Sequence, residues 1–145
     1  EYNVGLDGKP KKEEIPELMQ QLRNEGAEAV YVGSSSFNLE NRDLFSASAI
    51  MQRLPLFSAY AQMVQESGAL MAVANAYVNV GKLAAGQAQR ILFDRANPIE
   101  LPIVSLSRFS VFINANTAKQ LELYPPIQLI NIAKFVFGIE AVEYN

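Results

Sequence analysis

The sequence predicts an α/β fold in which a mainly parallel sheet is flanked by helices. Short apolar runs, of the kind that form buried strands, alternate along the chain with stretches that have helical periodicity. The middle of the chain is also poor in charge, since only Arg53, Glu66 and Lys82 are charged between Leu44 and Lys82. This combination is typical of buried strands joined by covering helices, as in βαβ units.

The first half of the chain contains three predicted strands and three predicted helices. In order, they are a strand at residues 2–5, a helix carrying Ile15, Leu18, Met19 and Leu22, a strand at 29–32, a helix at 44–54, a strand at 56–57 and a helix at 60–66. Pro16 suits the first turn of the first helix, and Gly26 lies just past its end. Pro55 stops the second helix.

The second half continues the alternation. It is predicted to contain a strand at 69–74, a helix with the stripe Val80, Leu83, Ala84, Ala88, Ile91 and Leu92, strands at 102–106 and 109–114, a helix running to Leu123, and a last helix at 125–137. Either Asn116 or Thr117 can cap the helix that ends at Leu123. Pro125 and Pro126 are expected to open the last helix.

Composition excludes several classes of function. The 145 residues suffice for one domain, and 50% hydrophobic with 19% charged residues is a globular composition. The chain contains no Cys, His or Trp, which excludes disulfides, thiol nucleophiles, zinc–thiolate sites and imidazole chemistry. A net charge of −3 argues against nucleic-acid binding. We therefore expect no cofactor, no metal and no nucleic-acid partner.

The sequence contains no stretch that is typical of a membrane span or of a secretory leader. The longest uncharged stretch, residues 67–81, is too short and too polar to span a bilayer. The first residues lack the basic and apolar character of a secretory leader.

Three loops are candidates for ligand binding, because ligands of parallel sheets bind at the carboxyl ends of the strands. The first loop, residues 33–38, offers three hydroxyls and backbone N–H groups near a helix start, which suits a polar or anionic ligand. A solvated turn in which Ser or Asn caps the helix explains the same residues. The second loop contains Tyr60, which could stack on a ligand or simply pack against its own helix. The third loop contains Asn75 and Tyr77, an amide and a phenol that suit a neutral polar ligand.

No catalytic set accompanies these loops, so the chain is predicted not to be an enzyme. A hydrolase built on Ser34, Ser35 or Ser36 would lack its base. Acid–base catalysis needs two carboxyl groups that converge on one site, whereas Glu13 and Glu14 belong to a solvated helix start.

Three stretches carry a resemblance to a known family: GAEAVYVGSSSF, LPLFSAYAQMVQESGALMAVANAYVNVGKLAAGQAQRIL and VFINANTAKQLELYPPIQLINIAKFV. They resemble the ABC-transporter substrate-binding proteins of the type I periplasmic-binding fold, in the group that includes tryptophan- and tyrosine-binding receptors. The third stretch is the most specific, because a strand ending in Ile-Asn, a Thr-Ala-Lys helix start and a Pro-Pro pair close the chains of this family.

The resemblance implies one lobe of a protein with two α/β lobes hinged around a cleft, about twice as long as this chain. Residues 1–145 would be the second lobe, and residues 107–145 would be the closing segment toward the hinge and the first lobe. The chain would then be either an excised half or an unusually short natural protein. The family's ligand loops fall on Ser34, Ser35 and Ser36, on Ala59 and Tyr60, and on Asn75, Ala76 and Tyr77.

Two positions depart from the family pattern. Ala76 stands where the amino-acid-binding members commonly have Asp, so a ligand ammonium would lose its charged partner. This departure favours a neutral or anionic polar ligand over an α-amino acid. Glu122 replaces a Gly that is common before the Pro pair, which implies an altered hinge connection.

The function implied by the resemblance is solute binding for an ABC importer. The partners would be a small-molecule ligand, an ABC permease, and either the missing first lobe or further copies of the chain. The location would be periplasmic or extracytoplasmic, with lipid anchoring as one form. An extracytoplasmic sensor domain of a membrane signalling protein is the alternative, and a small α/β enzyme is the third class considered.

Overall fold

The computed structural model describes residues 10–106 and 109–137. Its helices are α1 (Ile15–Asn24), α2 (Ser36–Glu40), α3 (Arg42–Met51), α4 (Ala61–Glu66), α5 (Tyr77–Leu92), α6 (Ala115–Gln120) and α7 (Ile127–Ile130). Its strands are β1 (Val30–Val32), β2 (Leu56–Ser58), β3 (Met71–Ala74), β4 (Ser110–Asn114) and β5 (Ala133–Val136). Short 3₁₀ turns at Lys12–Glu14 and Pro98–Glu100 precede α1 and follow α5.

The five strands form one sheet in the order β1-β2-β3-β4-β5. Strands β1, β2 and β3 are parallel neighbours, with Tyr31 paired to Phe57 and Phe57 paired to Met71. Strand β4 is antiparallel to β3, and β5 is parallel to β4. The predicted α/β class with a mainly parallel sheet is therefore confirmed. Both β4 and β5 belong to this sheet, although they lie within the segment predicted to close toward the hinge.

The hydrophobic core lies between one face of the sheet and helices α1, α3 and α4. It contains Ile15, Met19, Val32, Phe45, Ala49, Leu54, Leu56, Met63, Val64, Ala69, Ala72 and Phe112. The strand members alternate with residues of the opposite face, as the period of two in a strand requires. Right-handed crossovers between neighbouring parallel strands that advance in one direction place their helices on the same face. This rule explains why α3 and α4 share one side of the sheet.

The opposite face of β1, β2 and β3 carries four large apolar side chains, from Tyr31, Phe57, Met71 and Val73, which we call the open face. Tyr31 is 69% exposed and Val73 is 47% exposed, while Phe57 and Met71 are half-buried. These residues line a groove of about 460 Å³. Parallel sheets are normally covered on both faces, so this exposure is unusual for the fold.

Helix α5 is the longest of the described helices, yet it has no buried residue. It contacts the segment that follows it, where Gln87 Nε2 donates a hydrogen bond to the Pro102 carbonyl at 3.4 Å. None of its residues lines the groove at the open face. Within residues 10–106 and 109–137, neither α5 nor any other helix has the length and apolar character needed to cross a membrane.

The structure differs from several of the predicted elements, and one of them lies outside the described residues. Helix α2 was not predicted, because it is only five residues long, from Ser36 to Glu40. Residues 102–106 were predicted as a strand but have no strand structure, since Pro102 lacks an N–H and Ile103 is fully exposed. The strand predicted at residues 2–5 lies outside the described residues.

The helix predicted at residues 125–137 is the largest correction. Only α7 is helical there, and the chain then continues as β5, which pairs with β4 from Ala133 opposite Val111 to Val136 opposite Asn114. The neighbouring strand provides backbone partners for this apolar run, and short apolar runs do not distinguish helix from strand by periodicity. Lys134 also places its Nζ 5.3 Å from the centroid of the Phe112 ring, a cation–π contact between β5 and β4.

Asn114 is the N-cap of α6, two or three residues before the predicted cap at Asn116 or Thr117. Its Oδ1 accepts hydrogen bonds from the N–H groups of Asn116 and Thr117, each at 3.0 Å. Its Nδ2 donates to the Val64 carbonyl at 3.1 Å, and the Thr117 hydroxyl donates to the Gly68 carbonyl at 2.8 Å. Both Asn114 and Thr117 are buried. These bonds tie the start of α6 to α4 and to the turn that follows it.

Glu122, predicted as a departure from the family pattern, lies in the left-handed region with a φ of 60°. Glycine adopts this conformation without the steric cost that a Cβ imposes. The Glu122 carboxylate lies 3.4 Å from the guanidinium of Arg53, whose φ of 53° is also left-handed. Both side chains are exposed, so we expect this ion pair to add little stability.

Candidate ligand-binding site

The carboxyl ends of β1, β2 and β3 meet at one edge of the sheet, which we call the carboxyl edge. Val32 and Ser58, the last residues of β1 and β2, are paired with one another, and Ser58 is paired with Ala72 of β3. The loops that follow all three strands therefore leave the sheet side by side. The structure thus brings together the three groups of predicted ligand residues: Ser34, Ser35 and Ser36; Ala59 and Tyr60; and Asn75, Ala76 and Tyr77.

The first loop, residues 33–38, contains a helix cap and exposed serines. Ser35 is the N-cap of α2, and its Oγ accepts a hydrogen bond from the N–H of Asn38 at 3.1 Å. The buried Asn38 in turn donates from Nδ2 to the Gly33 carbonyl at 2.8 Å, which fixes the loop from within. Ser34 and Ser36 are exposed. The capping interpretation therefore describes Ser35, while the side chains of Ser34 and Ser36 take no part in the cap.

We expect Ser35→Ala to lower the free energy of unfolding by about 1 kcal/mol, because it removes the oxygen that caps α2. Ser34→Ala is the matched control, since it changes the same residue type in the same loop at an exposed position. It should change stability by less than about 0.5 kcal/mol. Urea unfolding followed by circular dichroism measures both. Equal losses in the two variants would contradict the distinct roles assigned to these serines.

The second loop is held by Ser58, a residue that the sequence interpretation missed. Ser58 is buried, and its Oγ accepts a hydrogen bond from the N–H of Tyr60 at 3.0 Å. The same hydroxyl lies 3.0 Å from the sulfur of Met63, to which it donates. The Ala59 N–H donates to the Val32 carbonyl at 3.4 Å, so this loop is also tied to β1. A Ser two residues before the N-cap of a helix is the signal that could have identified this turn.

Of the two alternatives for Tyr60, packing against the core is observed, while stacking on a ligand stays a prediction. It precedes the first residue of α4, and its partly buried ring packs against the hydrophobic core. The residue as a whole is partly exposed. A tyrosine that is anchored on one side and accessible on the other offers a rigid surface for stacking and a hydroxyl for hydrogen bonding.

The third loop contains an unused hydrogen-bond acceptor. The Oδ1 atom of Asn75 is buried, and no donor among the described residues reaches it. Buried polar atoms normally have a partner in the protein, in water or in a ligand. Ala76 is the N-cap of α5 and provides no side-chain cap, while Tyr77 is 71% exposed at the first position of the helix. Among the residues of this loop, Asn75 is thus the one whose side chain is free to accept a hydrogen bond from a ligand.

The antiparallel strand brings a further side chain to the carboxyl edge. Ser110, the first residue of β4, is paired with Ala74, the last residue of β3. Phe109 therefore enters the sheet beside the third loop, and it is 62% exposed. The sequence interpretation missed Phe109 as a site residue, because a short apolar run does not reveal that its strand runs antiparallel.

The three loops contain no Asp, Glu, Lys or Arg. Their polar groups are hydroxyls, an amide, phenols and backbone N–H groups, which bind uncharged polar molecules through hydrogen bonds. Over the two described stretches, no group of three or more Asp and Glu residues is arranged to hold a metal ion.

Comparison with known proteins gives a match to one family and to several solved structures. Residues 9–136 match the family described as ABC transporter substrate-binding protein. A conserved domain protein from Vibrio cholerae O1 biovar El Tor is 20% identical with a TM-score of 0.71, covering 87% of this chain and 42% of its own. None of the curated proteins matches this sequence.

Two further structures share the fold. An ABC domain from Streptococcus pneumoniae in complex with L-Trp has a TM-score of 0.70 and 20% identity, covering 88% of this chain and 43% of its own. A ligand-free, open substrate-binding protein with adhesive properties from Clostridium difficile has a TM-score of 0.72 and 18% identity, covering 90% of this chain and 42% of its own. The chain therefore spans less than half the length of the three similar structures.

Proposed function

Because this chain belongs to the family of ABC transporter substrate-binding proteins, we propose that it forms one ligand-binding lobe of a receptor for an ABC importer. Its cargo would be a small polar molecule held in a cleft between this lobe and a second one. The observation that carries the proposal is the convergence of three uncharged loops at the carboxyl edge.

The chemistry of the carboxyl edge supports a neutral or anionic polar ligand. The half-buried Asn75 offers an acceptor that is not engaged within the described residues, and Tyr60 offers an anchored ring. Ala76, at the start of α5, provides no carboxylate for a ligand ammonium. An α-amino acid would therefore lose a charge-assisted hydrogen bond at this position.

The proposal also assigns partners and a location. A lobe of this kind would present its cargo to an ABC permease after the two lobes close around it. Such a receptor would work on the extracytoplasmic side of the membrane, in the periplasm or tethered by a lipid.

We expect the isolated chain to bind no small molecule with a Kd below about 1 μM, because a cleft ligand takes part of its contacts from each lobe. Isothermal titration calorimetry with L-tryptophan, uridine and myo-inositol measures this. A sub-micromolar Kd for any of the three would contradict the division of the site between two lobes.

Weak binding can still locate the site. Amide chemical shifts recorded by NMR with the same three probes at millimolar concentration should change at residues 33–36, 59–60 and 75–77, and least with L-tryptophan. Tyr60→Ala should remove these changes, whereas Tyr124→Ala, at an exposed tyrosine beyond α6, should leave them intact. Shifts that concentrate on α1 or α6 would contradict the proposed site.

A further inference from the structure

Three hydrogen bonds form a closed network where β2 passes into α4. The Oγ of Ser58 accepts from the Tyr60 N–H at 3.0 Å and donates to the sulfur of Met63 at 3.0 Å. The Met63 N–H in turn donates to the Tyr60 carbonyl at 3.2 Å. Each of the three residues is therefore bonded to the other two, which ties the last residue of the strand to the first turn of the helix.

The hydroxyl of Ser58 stands at a position where the core alone would favour an apolar side chain. Ser58 is only 3% exposed. The other buried residues of β1, β2 and β3 are all apolar, namely Val32, Leu56, Ala72 and Ala74. A buried hydroxyl costs free energy unless it is hydrogen-bonded. The hydroxyl of Ser58 therefore depends on its two bonds, to the Tyr60 backbone and to Met63.

The network holds the backbone of Tyr60 on both sides. Its N–H is bonded to Ser58 and its carbonyl to Met63, while its ring packs against the hydrophobic core. Tyr60 is the N-cap of α4 but provides no side-chain cap of its own. Among the described residues, Ser58 is the one whose side chain bonds the backbone of this loop, so the orientation of Tyr60 depends on the Ser58 hydroxyl.

We propose that Ser58 is a positioning residue of the ligand-binding site, whose hydroxyl fixes the backbone of Tyr60 before a ligand arrives. Such preorganisation raises affinity, because the free energy of ordering the loop is not lost on binding. Ser58 is buried, so it acts through Tyr60 and not by contact with the ligand. The effect on ligand affinity rests on the proposed function, whereas the fixing of Tyr60 does not.

Amide hydrogen exchange followed by NMR tests the fixing of Tyr60 without any ligand. We expect Ser58→Ala to accelerate exchange of the Tyr60 amide at least about tenfold, because this N–H loses its acceptor. Thr117→Val is the matched control, since it removes an equally buried hydroxyl that donates to the Gly68 carbonyl at 2.8 Å. The control should change the Tyr60 rate by less than about twofold. Equal acceleration in both variants would overturn the proposal, because it would reflect only a general loss of stability.

A second variant, Met63→Leu, tests the network even if Ser58→Ala does not fold. It keeps an apolar side chain of similar volume but removes the sulfur that accepts from the Ser58 hydroxyl. The hydroxyl then loses one of the two partners that orient it, so exchange of the Tyr60 amide should rise about threefold. An unchanged rate would overturn the network. A rate above that of Ser58→Ala would also overturn the proposal, because it would mean that the packing of Met63 holds the loop.

Binding of uridine, followed by amide chemical shifts at millimolar concentration, tests the consequence for the ligand. Ser58→Ala should raise the Kd about three- to tenfold, whereas Thr117→Val should change it by less than about twofold. An unchanged Kd in Ser58→Ala would overturn the positioning role even if the Tyr60 amide exchanges faster. If the wild-type chain shows no shifts at the three loops with uridine, L-tryptophan or myo-inositol, the proposed function fails. The exchange rates then still decide whether Ser58 fixes Tyr60.

Discussion

Replacing Asn114 with alanine should lower the free energy of unfolding by about 3 kcal/mol. The substitution removes the oxygen that caps α6, a loss of about 1 kcal/mol, and leaves the buried carbonyl of Val64 without its donor, a further loss of about 2 kcal/mol. Asn114 is fully buried, so water cannot replace these bonds easily. Equilibrium urea unfolding followed by circular dichroism measures the change.

Asn116→Ala is the control for this prediction. It removes the same type of side chain two residues later, at a half-buried position whose backbone N–H, but not its side chain, takes part in the α6 cap. We expect its effect to stay below about 0.5 kcal/mol. If the two variants lose similar stability, the three hydrogen bonds of Asn114 do not fix α6 as described.

Leu54→Ala, in the link between α3 and β2, should lower the free energy of unfolding by about 3 kcal/mol. Leu54 is completely buried and belongs to the hydrophobic core. Removing its side chain loses the transfer free energy of the deleted atoms and leaves a cavity that the packed core fills only in part. The urea midpoint should fall without a change in slope.

The matched control for Leu54→Ala is Leu92→Ala, at the last residue of α5. Leu92 is 72% exposed, so the same chemical change should cost less than about 0.5 kcal/mol. A loss at Leu92 as large as that at Leu54 would contradict the position assigned to the core on the face covered by α1, α3 and α4.

The sequence was sufficient to predict the three loops of the carboxyl edge. Residues 33–36, 59–60 and 75–77 each follow a short apolar run and precede a helix, and parallel strands bring such loops to the same edge without any knowledge of side-chain contacts. The contacts that these residues make at the carboxyl edge could not be predicted from the sequence. The cap formed by Ser35 and the anchor formed by Ser58 depend on hydrogen bonds whose partners cannot be chosen from spacing alone.

The C-terminal strands were less predictable for a physical reason. The apolar runs at residues 125–137 and 109–114 are compatible with helix or strand, and with either strand direction, until a neighbour is known. The pairing of β4 with β3 settles its direction, and it also places Phe109 beside the third loop. Similarly, Asn114 ends β4 and also caps α6, which places the start of this helix two or three residues earlier than predicted.

Helix α5 is joined to β3 by only two residues, Asn75 and Ala76, so a change in their backbone angles would rotate the whole helix. With a length of about 24 Å, a rotation of about 10° at Asn75 and Ala76 displaces the far end near Leu92 by about 4 Å. The ring of Tyr77, close to the pivot, moves far less. A small change in the backbone at Asn75 and Ala76 would therefore produce a large displacement at the far end of α5.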